Sequence, residues 1–267
     1  MKITLCQITL QAGEVRHNLA RARQALGEAV HQGSDLALLP ELWSSGYDLP
    51  KAHLAAESSP AILEELSAFS HQNQLSIGGS LLEAEGQNFY NTFTLLQPTA
   101  TPVAYRKTHL FRLMDEHQYL KAGNQLINTP LGPFQAGLSI CYDLRFPELY
   151  RAYALHGVNL FLICAEWPAS RLDHWQGLLR ARAIENQAFV AAVNTVGPSG
   201  LASYGGCSLV ISPWGEILLQ ASTTAEAILS CELDFDQLAR VRGHLSVFSY
   251  RRPELYERPP TSLPEST

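Results

Sequence analysis

Apolar runs of strand length and amphipathic segments of helical spacing follow one another along the chain. Residues 2–8 and 35–39 read as strands. Between them, Leu19, Ala22, Leu26, Ala29 and Val30 recur at the spacing of a helix over 18–32, so the chain opens as a βαβ unit. A helix over 61–72 precedes strands over 75–82, 91–96 and 103–106. Short polar turns join these strands, which makes them locally antiparallel and the sheet mixed. The apolar run 136–140 ends at Cys141, and Pro147 stands where a new helix over 148–156 starts, since proline suits the first helical position. A very apolar strand over 160–164, a long helix over 171–186 and strands over 188–194, 207–212, 216–220 and 226–233 complete the pattern. Strand-helix alternation thus occupies both halves, without the fixed-period self-similarity of a solenoid. From about residue 250, Pro253, Pro259, Pro260 and Pro264 break any regular element, and this tail is expected to run over the surface or across a partner subunit.

Composition narrows the class. The 267 residues are 46% hydrophobic and 16% charged, which describes a chain with a large core rather than a disordered one. No linker divides it, so residues 1–267 are read as one domain. A net charge of -6 and the lack of a basic run exclude a nucleic-acid surface. No apolar stretch reaches the roughly 18 residues of a membrane span, and polar residues interrupt the N-terminus too early for a signal peptide. The five cysteines, Cys6, Cys141, Cys164, Cys207 and Cys231, are odd in number and show no paired spacing. Reduced thiols and a cytoplasmic location follow from that pattern.

Chemistry concentrates at three predicted strand ends. Leu36-Ala37-Leu38-Leu39-Pro40 delivers Glu41, Val103-Ala104-Tyr105-Arg106 delivers Lys107, and Ala136-Gly137-Leu138-Ser139-Ile140 delivers Cys141. A carboxylate, an ammonium and a thiol so placed would form a compact nucleophilic site. An isolated Glu or Lys is usually a solvated surface group, and a lone cysteine among apolar residues is usually a small core hydrophobe, the reading given to the other four thiols. Cys141 differs because Tyr142-Asp143-Leu144-Arg145 follows it at once. A papain-like site would need a histidine base, for which His109, His156 and His174 are available without local distinction. Gly137-Leu138-Ser139-Ile140-Cys141 puts cysteine where a serine hydrolase needs its last glycine. Dinucleotide, phosphate-loop and zinc motifs do not occur, so neither metal nor organic cofactor is expected.

Pro40-Glu41-Leu42-Trp43, Tyr105-Arg106-Lys107-Thr108-His109-Leu110-Phe111 and Gly137-Leu138-Ser139-Ile140-Cys141-Tyr142-Asp143-Leu144-Arg145-Phe146-Pro147-Glu148 resemble, in order and spacing, the signature blocks of the nitrilase superfamily of carbon-nitrogen hydrolases. The resemblance continues through Tyr119-Leu120-Lys121-Ala122-Gly123, Arg180-Ala181-Arg182-Ala183-Ile184-Glu185-Asn186-Gln187 and Ser212-Pro213-Trp214-Gly215-Glu216. It implies an α/β fold, a four-layer α-β-β-α sandwich with mixed sheets, and a homodimer formed through the helices after the nucleophile strand. It also implies a cysteine-dependent amidohydrolase. Cys141 would attack an amide carbonyl, Glu41 would act as general base, and Lys107 and the backbone N–H of Tyr142 would hold the oxyanion. Glu116 would position Lys107 or the substrate.

Within the superfamily, His109-Leu110-Phe111-Arg112, Asp115-Glu116-His117, Trp167-Pro168-Ala169 and His174-Trp175 look most like the omega-amidase branch, which hydrolyses the terminal amide of 2-oxoglutaramate and 2-oxosuccinamate. Such a substrate carries a carboxylate, for which an arginine fork is the best partner, and Arg112, Arg145 and Arg171 are the candidates. Arg145 is read first as a brace of the turn through Asp143. Trp167 and Tyr47 are candidate pocket walls, and Glu166 is expected to add a negative charge beside them. The ending Val247-Phe248-Ser249-Tyr250-Arg251-Arg252-Pro253-Glu254-Leu255-Tyr256 resembles instead a sister branch that acts on deaminated glutathione. A third reading is a catalytically idle interaction protein on the same fold, which the intact Glu41, Lys107 and Cys141 oppose.

Overall fold

A computed structural model describes residues 1–200 and 202–256. The strands in chain order are β1 (Lys2–Gln7), β2 (Leu36–Leu38), β3 (Ser76–Glu85), β4 (Asn88–Gln97), β5 (Ala100–Arg106), β6 (Asn128–Leu131), β7 (Phe134–Ile140), β8 (Leu160–Ala165), β9 (Phe189–Asn194), β10 (Val196–Ser199), β11 (Ala202–Gly205), β12 (Leu209–Ile211), β13 (Ile217–Gln220) and β14 (Ala227–Glu232). The helices are α1 (Val15–His31), α2 (Ala52–Asn73), the single turn α3 (Glu116–Tyr119), α4 (Pro147–Leu155), α5 (Leu172–Asn186), α6 (Asp236–His244) and the single turn α7 (Pro253–Tyr256).

Two six-stranded mixed sheets result, in the orders β14-β1-β2-β3-β4-β5 and β13-β12-β9-β8-β7-β6, beside the small β10-β11 hairpin. Each sheet has a parallel trio, β1-β2-β3 in the first and β7-β8-β9 in the second, extended by antiparallel strands. The run β7-α4-β8-α5-β9 therefore repeats the wiring of β1-α1-β2-α2-β3, a repeat of topology that leaves no trace in the residues.

Strand alternation explains the layering. Ile3, Leu5, Leu36, Leu38, Phe93 and Leu95 turn inward and pack with Leu138, Ile140, Leu160 and Leu162 of the second sheet in one core. Cys6, Ala37, Leu39 and Ile77 face the other way and meet Ala22, Leu26, Ile62 and Leu66 of α1 and α2. Trp175, Leu179 and Ala183 of α5, with Leu149 and Tyr153 of α4, cover the second sheet from outside. The order helix, sheet, sheet, helix is the expected α-β-β-α sandwich.

Three differences from the sequence pattern have physical reasons. Helix α2 starts nine residues before the expected one and carries Pro60 in its interior. Proline forfeits its own N–H bond to Ala56, but packing of Ile62 and Leu66 on the sheet carries the helix through. Strand β6 and the β10-β11 hairpin were not expected, because Asn128–Leu131 and Val196–Ser199 carry prolines that suit edge positions. Helix α6 had no clear apolar period, since only Leu238 and Val241 are buried. Of the irregular tail expected from about 250, Pro253–Tyr256 forms a helical turn, while residues 257–267 lie outside the described residues.

Gly123 packs against the end of β5, beside Lys107. A Cβ there would stand 2.2 Å from the Arg106 carbonyl oxygen, and its N–H donates to the Lys107 carbonyl at 2.8 Å. Backbone cannot yield as a side chain does, so Gly123→Ala should destabilise the protein by about 1–3 kcal/mol or more in urea unfolding. It should also lower activity per folded molecule.

Candidate active site

Glu41, Lys107 and Cys141 leave the carboxyl ends of β2, β5 and β7, and the two sheets bring these ends together. Lys107 is 1% exposed and Glu41 and Glu116 are fully buried. The Lys107 ammonium donates to Glu41 Oε1 at 2.8 Å and to Glu116 Oε1 at 2.6 Å. Two of its three N–H groups are taken, and the third is left for another acceptor.

Each member is held by backbone as well as by charge. The loop carrying Glu41 is pinned to β3, where Ser80 Oγ accepts the Leu42 N–H at 2.8 Å. Asn91 Nδ2 donates to Glu41 Oε1 at 2.8 Å, and the Glu166 N–H donates to Glu41 Oε2 at 2.9 Å. The Lys107 N–H is tied to the Asn91 carbonyl at 2.8 Å. Glu116 opens α3, takes the Phe111 N–H on Oε2 at 2.7 Å and accepts the Tyr47 hydroxyl on Oε1.

Cys141 sits at the first position of a tight helical turn, Cys141–Arg145, with φ +43°. A side chain in this left-handed region costs about 1–3 kcal/mol, which persists only where the surroundings enforce it. The strained turn lifts Sγ to the cleft floor and leaves the Tyr142 N–H without a partner inside the turn. The thiol faces the Glu166 carbonyl at 3.9 Å. Burial, and then the charge of Glu41, push its pKa well up, while Lys107 pulls the other way. The resting thiol is therefore protonated and needs a base. Burial opposes the charge on Lys107, but Glu116, Glu41 and Cys141 overcome it and hold the ammonium well above its ordinary pKa. Glu116 is raised by burial, partly offset by Lys107.

A narrow cleft lies above the thiol. Tyr47, Tyr142, Arg145, Trp167 and Arg171, all expected near the site, do line it, and Phe111 and Met114 join them. Arg112 does not. The turn Arg112–Met114 carries it outward into solvent while Phe111 keeps the cleft face. Arg145 does not brace Asp143 either. Its guanidinium lies over Trp167 at 4.7 Å from the ring centre and 3.4 Å from His174 Nδ1, whereas Asp143 is filled by Tyr105, Thr108, His109 and Ile140. Arg171 stands over Phe111 at 5.5 Å. Among the described residues neither arginine has a carboxylate partner.

Glu166 departs from expectation too. It is 1% exposed, neither carboxyl oxygen has a hydrogen-bond partner among the described residues, and burial, then the charge of Glu41, raise its pKa well above the usual range. The neutral acid is favoured, so it adds no full negative charge. Asn91 and the peptide of Glu166, which complete the shell of Glu41, were missed. Asn91 is one polar residue in an alternating strand, and only the β3-β4-β5 register places it beside Glu41.

A family model described as carbon-nitrogen hydrolase matches residues 2–243. The chain belongs to the carbon-nitrogen hydrolase family. As in that family, the chemistry it supports is hydrolysis of non-peptide carbon-nitrogen bonds. It is 38% identical over 257 residues to a 2-oxoglutaramate amidase of Bacillus subtilis, covering 95% of this chain and 98% of that one. It is 37% identical to an omega-amidase of Escherichia coli K12, with 91% and 93% covered. An amidase from Nesterenkonia sp. AN1, solved with acrylamide added to its active-site cysteine, superposes with a TM-score of 0.83 at 29% identity, covering 92% of this chain and 98% of that one. No group of three or more His, Cys, Asp or Glu side chains forms a metal-ligand cluster among the described residues of this hydrolase.

The buried Glu166 predicts a pH signature. Its carboxyl keeps a proton in the fold at pH values where the unfolded chain has lost it, so its contribution to stability falls as pH rises above the ordinary carboxyl range. The difference in melting temperature between Glu166→Gln and wild type should move in favour of the variant from pH 5 to pH 8. A constant difference would contradict the assignment of a neutral acid.

Proposed function

We propose that this carbon-nitrogen hydrolase is an omega-amidase, converting 2-oxoglutaramate or 2-oxosuccinamate to the corresponding acid and ammonia, with Cys141 as nucleophile, Glu41 as general base and acid, and Lys107 as oxyanion donor. The observation that carries it is the pairing of a buried Glu-Lys-Glu cluster beside the thiol with two arginines, Arg145 and Arg171, that face the same cleft without acid partners among the described residues. The similarity to a 2-oxoglutaramate amidase and an omega-amidase supports the substrate class.

In the first half-reaction the Cys141 sulfur attacks the terminal amide carbonyl and its proton passes to Glu41. The carbonyl oxygen, now an anion, takes the free third N–H of Lys107 and the Tyr142 N–H, a pair of fixed donors of the kind that contributes roughly 100- to 1000-fold in rate each. Glu41 returns the proton to nitrogen, the carbon-nitrogen bond breaks, and ammonia leaves a thioester. Water then gives its proton to Glu41 as it attacks the thioester, and the carbon-sulfur bond breaks as the thiol is restored. Glu116, through Lys107, keeps the ammonium aimed. The substrate carboxylate is held by Arg145, with Arg171 at the mouth, and Trp167 and Tyr47 wall the chain between.

We further infer that residues 1–267 act as one catalytic unit and that the enzyme is a cytoplasmic homodimer paired through α4 and α5. The free thiols Cys6, Cys141, Cys164, Cys207 and Cys231 support a reducing location.

Ammonia release from 2-oxoglutaramate, deaminated glutathione, glutamine and a simple nitrile tests the substrate. Turnover is expected with 2-oxoglutaramate above the others and at background in Cys141→Ala; preference for deaminated glutathione would keep the mechanism and overturn the substrate. Arg145→Met should raise KM for 2-oxoglutaramate about 10- to 100-fold, the worth of a hydrogen bond to a charged group. Its turnover of propionamide, which has no carboxylate, should stay near wild type.

A further inference from the structure

Asp143 lies two residues beyond Cys141 and is fully buried. Its carboxylate accepts five hydrogen bonds. Oδ1 takes the Thr108 hydroxyl at 3.0 Å, the His109 N–H at 3.0 Å and His109 Nδ1 at 2.8 Å. Oδ2 takes the Tyr105 hydroxyl at 2.8 Å and the Ile140 N–H at 3.0 Å. Four of these donors belong to the three residues Tyr105, Thr108 and His109, which flank Lys107 at the end of β5 in one sheet. The fifth belongs to the residue just before Cys141, at the end of β7 in the other sheet.

The connection crosses the interface between the sheets at the one place where the spacing matters to chemistry. Lys107 and Cys141 have no direct hydrogen bond to each other, so their separation depends on what joins their backbones. The left-handed backbone at Cys141 also has to be enforced from outside, and the bond from Ile140 to Oδ2 pins the residue before it. His109, stacked on Phe146 with 3.7 Å between ring centres, closes the cluster on its solvent side. A carboxylate has about four lone-pair sites, and five donors saturate it.

We propose that Asp143 is a positioning residue for catalysis: through Tyr105, Thr108 and His109 on one side and Ile140 on the other, it sets the distance and direction between the Lys107 ammonium and the Cys141 thiol. The inference rests on the reading of Lys107 and Cys141 as oxyanion donor and nucleophile. Asp143 touches no substrate. It acts on the rate through the geometry of two groups that do.

Asp143→Asn is the test, because it keeps shape while turning one acceptor oxygen into a donor that faces N–H and O–H groups. In folded protein, kcat for 2-oxoglutaramate should fall at least 100-fold with KM within threefold of wild type, and alkylation of Cys141 by iodoacetamide should slow in parallel. A purely structural role predicts a lowered melting temperature with kcat and alkylation per folded molecule within threefold of wild type, and that result would overturn the proposal. If Asp143→Asn does not fold, Tyr105→Phe and Thr108→Val each remove a single donor; a several-fold loss in kcat at unchanged KM in both supports the role, and unchanged kcat in both overturns it. If wild type turns over no amide, the substrate reading fails by itself. The alkylation rates of the same variants then decide the positioning role, slowed rates upholding it and unchanged rates ending it.

Discussion

The ammonium of Lys107, buried between Glu41 and Glu116, is the constraint around which the rest is arranged. Taking such ions from water costs several kcal/mol each, and their mutual attraction recovers this only with near-ideal geometry and every remaining lone pair occupied. The structure meets that condition by surrounding them with donors. Asn91 and the Glu166 peptide serve Glu41, while Tyr47 and the Phe111 peptide serve Glu116. Replacing the cluster by packed apolar side chains would serve stability as well or better, so its presence points to chemistry. What the cluster gains is a fixed cation whose third N–H is left for another acceptor.

The same arrangement puts two buried carboxyl groups beside the thiol, Glu116 and Glu166, in different electrostatic surroundings. Glu116 and Glu166 are both raised by burial, but Glu116 is hydrogen-bonded to the Lys107 ammonium, whereas Tyr204 and the charge of Lys107 offset the shift of Glu166 only in part. Glu41, with its donors and the ammonium, faces a thiol whose own pKa is pushed up. In the proposed mechanism, the confinement of Glu41 and the nearby cation compensate for that raised thiol pKa.

Four of the seven non-glycine residues with positive φ among the described residues gather at the site. Leu42 after Glu41, Tyr47 beside Glu116, Asp115 before it and Cys141 itself all have positive φ. Each turns the chain sharply beside Glu41, Glu116 or the Cys141 thiol. Residues that supply no chemistry, such as Ser80, Asn91 and Asp143, hold these turns. The parallel trios of the two sheets matter for the same reason: they direct the carboxyl ends of β2, β7 and β8 to one edge, where β5 meets them.

Much of this was legible along the chain. The strand periods, the helices at 148–156 and 171–186, the proline that starts α4, and Glu41, Lys107 and Cys141 at strand ends are local patterns, and local patterns follow from alternation, spacing and the signature blocks. The partners of individual side chains were not legible, inside these blocks or outside them. That Arg145 lies on Trp167 rather than on Asp143, that Arg112 turns to solvent, that Glu166 is kept neutral, and that Asn91 completes the base all depend on which strand of which sheet stands opposite. Sequence carries residue type and period, and so determined the family, most of the elements and the candidate residues of the site. Direction, burial and charge state arise only when the two sheets close on each other, because water exclusion and hydrogen-bond partners are properties of the packed whole.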